Sequence, residues 1–152
     1  MLDFVEEEFN IFPLLVYPCM LRNDRNAFVK VTKNESSSKS NNKNYNLNLG
    51  IYGIPPKLLL EQQQNDNNKI YPMITKVRKL EAKLRLVGGF QHTYCDSFQS
   101  ATEFSEMFDI SGLYRTMRTK YHCDGVFPTV YEKTRPEMEH IWQWLKEEEK
   151  DE

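Results

Sequence analysis

The chain has 152 residues, 39% of them hydrophobic, and a formal net charge of -2. That length suits one domain burying roughly 70% of its unfolded surface, and the near-neutral charge argues against a nucleic-acid surface. No apolar run approaches the ~20 residues of a membrane-spanning helix, Glu6, Glu7 and Glu8 exclude a secretory signal at the start, and Cys19, Cys95 and Cys123 are too few and too widely spaced for a disulfide framework or a Cys-x-x-Cys metal site.

Leu2, Phe4, Val5 and Phe9 among acidic residues predict the end of a helix that opens at Met1, as though the start lay inside a domain. Ile11 to Leu21 is apolar but broken by Pro13 and Pro18, so it predicts a short buried strand over Leu14–Tyr17 bounded by the prolines. Phe28 to Val31 reads as a second short strand. Thr32 to Asn46 is Ser/Asn/Lys low complexity and lacks the apolar groups that would offset its ordering entropy, which predicts a mobile loop. Leu47, Leu49 and Ile51 alternate with polar or small residues, the period-two mark of a half-buried strand closed by Gly53 and Pro55-Pro56. Glu61 to Lys69 is a second polar insert.

Pro72 suits the first turn of a helix whose stripe is Met73, Val77, Leu80, Leu84 and Val87. Lys76, Lys79, Lys83 and Arg85 then form a solvated basic face. Gly88-Gly89 ends that helix, and Phe90 to Asp96 reads as a strand with Phe90, His92, Tyr94 and Asp96 on one face and Cys95 buried on the other. Ser100 with Glu103 makes a capping box ahead of Phe104, Met107 and Phe108. A helix follows on Leu113, Met117 and Tyr121. The last element carries Val130 and Tyr131, then Met138, Ile141, Trp142 and Leu145, with an interruption at Pro136. The fold class is α+β: an antiparallel sheet with a helix over residues 1–97, then a helical extension over 98–146 and an acidic tail, 147–152.

Chemistry-bearing motifs are sparse. There is no phosphate-binding glycine loop and no serine elbow, and His92, His122 and His140 lie at no metal-ligand spacing. On a strand, His92, Tyr94 and Asp96 would stand about 6.5 Å apart, close enough for a proton-donating triplet. The same pattern also describes a cross-strand polar ladder or a face turned to solvent, which is the commoner origin of such a pattern.

Six blocks carry a family resemblance: Phe12-Pro13 with Pro18 and Leu21; Gly50-x-Tyr52-Gly53-x-Pro55; Gly89-Phe90-Gln91-x-x-Tyr94-x-Asp96; Phe104-x-x-Met107-Phe108-Asp109; Leu113-Tyr114 with Arg118; and Phe127-Pro128-x-Val130-Tyr131 with Lys133. In this order they resemble the C-terminal portion of the delta-24 sterol reductases, the Diminuto-type members of the FAD-linked oxidase superfamily. Two positions depart from that pattern: His92, and Ile54 where an acid is expected.

The resemblance implies the second half of a cap domain followed by helices that dock on a separate, N-terminal FAD-binding domain. It implies reduction of the C24–C25 side-chain double bond of a sterol by NADPH through FAD, in an endoplasmic reticulum membrane reached through the full-length protein. Tyr94 is then expected as the acid, with Asp96 orienting it, and Gly89, Phe90 and Gln91 beside the flavin. No metal and no nucleic acid enter. The competing readings are a stand-alone cap-like binding module without catalysis, and a different FAD-linked oxidase acting on a sugar acid or alcohol.

Overall fold

A computed structural model of the chain describes residues 1–22, 27–30, 43–56, 71–137, 139–143 and 145. Helix α1 (Leu2–Glu8) leads into strand β1 (Leu15–Arg22), which pairs antiparallel with β2 (Lys43–Gly50). Helix α2 (Tyr71–Leu86), α3 (Ala101–Met107), α4 (Leu113–Lys120) and α5 (Val130–Thr134) follow, and residues 139–143 are again helical. The α+β class expected from the sequence is what the molecule has. The insert at 61–69, the tail and Met138 lie outside the described residues, as does the insert at 32–46 up to Asn42.

β1 runs through Pro18 instead of stopping before it, and it is not the buried strand expected, since Leu15, Val16, Tyr17 and Met20 are exposed. In a two-stranded ribbon every strand is an edge, so a proline can turn its missing N–H outward. Lys43 to Asn46, expected in the loop, belong to β2 and face Arg22 to Cys19 in register. Of the expected Phe28–Val31 strand, Val31 lies outside the described residues, and the rest shows one bridge, Val29 to Phe108, flanked by Lys30 N–H to the Met107 carbonyl at 2.8 Å and Asp109 N–H to the Phe28 carbonyl at 2.7 Å.

α2 is the axis of the packing. Its Met73 and Leu80 join Val5, Phe9 and Ile11 in one apolar cluster, Ile74 meets Ile141 and Leu145 in a second, and Leu84 packs on Phe104, Met107 and Phe108 in a third. Each fully buried aliphatic or aromatic side chain contributes about 1.5–3 kcal/mol. Met73, Leu80 and Leu84 of the predicted stripe do pack inward, but the inner face is wider than the spacing predicts and ends sooner: Ile74 and Glu81 are each 1% exposed, and Val87 is exposed. Nor is the basic face simply solvated. Lys76 donates to the Glu8 carbonyl at 2.5 Å, Lys79 pairs with Glu8 at 3.1 Å, and Arg85 donates to Gln99 at 3.1 Å and pairs with Glu103 at 2.5 Å.

The capping box at Ser100 and Glu103 is present, and a second one forms at Thr129 and Glu132. The break at Pro136 is also as expected: α5 ends before it, and Trp142 donates its indole N–H to the Pro136 carbonyl at 2.9 Å. In α4 the expected inner stripe is instead outward: Leu113, Met117 and Tyr121 are exposed and the buried residue is Arg118.

Candidate functional site

The glycine pair after α2 sets the site. Gly88 takes φ +68°, its N–H reaches the Arg85 carbonyl at 3.0 Å, and the Gly89 N–H reaches that of Leu84 at 2.8 Å, which closes the helix. A Cβ on Gly89 would lie 3.1 Å from a Leu84 methyl. The chain then drops Phe90 into the third cluster, edge-on to Phe108 at 6.3 Å.

Phe90 to Asp96 is not a strand. Among the described residues no strand lies beside it to take its backbone groups, and it folds into a turn in which the Cys95 N–H bonds the His92 carbonyl at 3.2 Å. The common face expected for His92, Tyr94 and Asp96 is therefore lost. Cys95 is exposed, not buried. Asp96 offers its main-chain carbonyl to the Gln91 amide at 2.8 Å, and among the described residues no hydrogen bond joins it to Tyr94.

His92 and Tyr94 do remain together. Their rings stack 5.4 Å apart at 18°, and Phe90 meets His92 edge-on at 5.5 Å. The ribbon reaches this turn through Tyr17 and Asn48, which stand opposite each other in register and so project from the same face. The Asn48 amide donates to the Tyr17 hydroxyl at 2.7 Å and also contacts His92 Nε2. Tyr52 folds back over Gly50, where a Cβ would lie 2.7 Å from its ring. The Tyr94 phenol is held above its ordinary pKa, first by the neighbouring Cys95 thiol and next by Tyr52.

The result is a cluster of polar aromatics on an open surface. Tyr94 is 74% exposed and Tyr52 64%. Two concavities, of about 310 Å³ beside Glu8 and about 230 Å³ beside Tyr114, do not include them. Tyr52 stood in one of the quoted blocks without a role, and Asn48 and Tyr17 had no local signal. Asn48 looks like one more polar position in a Lys/Asn-rich stretch, and only its register against Tyr17 marks it.

Among curated proteins, the chain is 36% identical over 95 residues to the Delta(24)-sterol reductase of Homo sapiens, a match covering 62% of the chain and 16% of that protein. The chain is a relative of the delta(24)-sterol reductases. It is 28% identical over 132 residues, 87% of its length and 21% of the other, to a Delta(24)-sterol reductase homolog of Caenorhabditis elegans. With the Delta(24)-sterol reductase of Rattus norvegicus it shares 46% identity over 57 residues, 38% of the chain and 11% of that protein. The aligned stretches thus span about a tenth to a fifth of these relatives. No protein-family model and no solved structure matches the chain.

The family resemblance read from the six blocks is borne out, and several of their residues have a visible structural task. Gly50 leaves room for the Tyr52 ring. Asp109 accepts the Gly112 N–H at 3.0 Å and the Ser111 hydroxyl at 3.1 Å at the start of α4, and these contacts, the Gly112 N–H first, hold its carboxyl below the usual range. Arg118 donates to the carbonyls of Cys123, Phe127 and Pro128 at 3.2, 2.7 and 3.2 Å, and so shapes the loop before α5.

Proposed function

We propose that this chain is the part of a flavin-dependent sterol reductase that presents a proton donor, Tyr94, to the C24–C25 double bond of the substrate. The observation that carries this reading is the exposure of Tyr94 on an ordered turn: its phenol is 74% accessible, yet its ring is stacked in place. An open half-site of this kind suits a lid laid over a substrate held by another domain. On this reading residues 1–97 form the lid, and residues 98–146 contribute to the contact with an FAD-binding domain of the longer protein.

An isolated alkene is reduced by adding a hydride to one carbon and a proton to its neighbour. FAD, reduced by NADPH, supplies the hydride when bound. Tyr94 gives the proton from its hydroxyl and regains one from solvent at its exposed edge, so two hydrogens are added in all. A phenol with an ordinary pKa of about 10 keeps its proton at neutral pH, and the Cys95 and Tyr52 neighbours raise it further.

Of the three residues expected beside the flavin, Gln91 fits. Its Oε1 is buried without a partner among the described residues, so a donor brought by the cofactor would satisfy it. Gly89 and Phe90 are committed to packing against Leu84 and Phe108. Membrane attachment at the endoplasmic reticulum is proposed for the whole protein; no helix among the described residues is long and apolar enough to cross a bilayer.

The test is turnover of a sterol carrying a C24–C25 double bond by the full-length, flavin-loaded protein with NADPH. Tyr94→Phe should lower kcat by about 10²–10⁴ with little change in KM. Undiminished turnover in that variant would reject the reading.

A further inference from the structure

Burial does not hold the Tyr94 ring, since it is three-quarters exposed. An exposed tyrosine turning freely about two side-chain bonds would spend little time aimed at any one point. Tyr52 stands beside the Tyr94 hydroxyl, and the Tyr94 ring itself lies against the face of His92, 5.4 Å away and within 18° of parallel. His92 is fixed in turn from two sides, by the Phe90 ring edge at 5.5 Å and by the Asn48 amide on its Nε2.

The amide nitrogen of an asparagine carries two N–H donors. One serves the Tyr17 hydroxyl at 2.7 Å, and the other points to His92 Nε2. Tyr17 receives its bond at oxygen and keeps its own O–H to give. The imidazole plane is thereby tied to the ribbon, 44 residues away in sequence.

We propose that Asn48 and His92 are positioning residues for Tyr94: the ribbon holds the imidazole through Asn48, and the imidazole seats the phenol where it delivers its proton. This rests on the proton-donor reading of Tyr94.

Two measurements test it. In the 152-residue chain with labelled tyrosine, the Tyr94 ring resonances should be displaced by the facing imidazole. His92→Ala should abolish the displacement, His92→Phe should retain an aromatic seat, and Asn48→Ala should weaken the displacement in the parent but not in the His92→Phe background. In the full-length, flavin-loaded protein, Asn48→Ala and His92→Ala should lower kcat about tenfold or more with KM for the sterol little changed. His92→Phe should recover much of that loss, which also separates loss of seating from failure to fold.

Unchanged Tyr94 resonances in His92→Ala would overturn the inference alone. So would unchanged kcat in His92→Ala while Tyr94→Phe is inactive, since the stack would then be only a brace. Full activity in Tyr94→Phe would overturn the proton-donor reading, and this inference with it.

Discussion

Glu81 accepts the main-chain N–H of Phe98 at 2.9 Å and so ties the middle of α2 to the segment that leads into α3. The same oxygen takes the Ser97 hydroxyl at 3.1 Å, while the other has no partner among the described residues. Around this bond, Gln99 contacts Ser97 and receives Arg85, and Arg78 donates to the Phe98 carbonyl at 3.0 Å. A polar seam thus runs through the junction of the two halves of the chain.

Glu81 makes this seam sensitive to pH. Burial raises its pKa from 4.5 to about 7, against the lowering effects of the Phe98 and Ser97 bonds and the Arg78 charge. The folded state therefore holds the proton more tightly than the unfolded one. The contribution to stability is fully present below about pH 4.5 and is lost as the pH rises toward 7, a difference of up to about 3 kcal/mol. Glu81→Gln should be more stable than the parent at pH 8 and close to it at pH 4.5. Urea unfolding at the two values checks this.

Glu103 has the opposite sign. Burial raises its pKa, but Arg78, the Ser100 N–H and the Arg85 charge outweigh burial and the net shift is downward. Its contribution is present above about pH 4.5 and fades as the pH falls through the acid range. Ser100→Ala removes only the cap and should cost about 1 kcal/mol. Glu103→Ala also strips Arg78 and Arg85 of their 2.6 and 2.5 Å partner. It should cost about 2 kcal/mol or more. Paired denaturation curves should rank the two in that order.

Gly50→Ala should separate site geometry from stability. The new methyl would collide with the Tyr52 ring, which is mostly exposed and can swing away. Stability should change by about 1 kcal/mol or less, while Tyr52 leaves the side of Tyr94. The Tyr94 pKa should then fall toward its ordinary value, though not all the way, because Cys95 stays in place. A residue-resolved titration of the Tyr94 ring measures it.

Arg118 holds the loop before α5 by three carbonyls and by Asp124 at 3.2 Å. Arg118→Ala should open residues 121–128 to proteolysis while leaving the α2 core protected, and Arg118→Lys should rescue little, since one ammonium cannot span the fork of contacts. Limited digestion followed by mass analysis reads the difference.

Local features were the legible ones. The extent of α2, the box at Ser100 and Glu103, and a strand at Leu47 and Leu49 depend on neighbours in sequence, and the structure contains each, although Leu47, expected on the buried face, is 74% exposed. The false strand at Phe90 to Asp96 shows where that logic stops: alternation proposes a strand, but only a partner strand can stabilise one, and Phe90 found a buried ring to pack on instead. The inward turn of Arg118 and Glu81 carried no local signal for a related reason. Each is a charged residue whose inward turn depends on acceptors or donors from a distant segment, which spacing within one helix does not reveal. Of the candidate cluster, Tyr94 and His92 lay in a segment that the sequence already singled out, Tyr94 with a role through the family resemblance, while Asn48 acquires meaning only when β1 lies beside β2.

The reach of α2 across all three apolar clusters bears on how the gene can change. A break anywhere from residue 87 to 97 would leave Leu84 and Ile74 without their covers on one piece, and Phe104 and Ile141 without theirs on the other. Neither piece should be soluble by itself, and co-expression should rescue both. Recombination or alternative splicing that joins foreign sequence there would have no viable half-product to select.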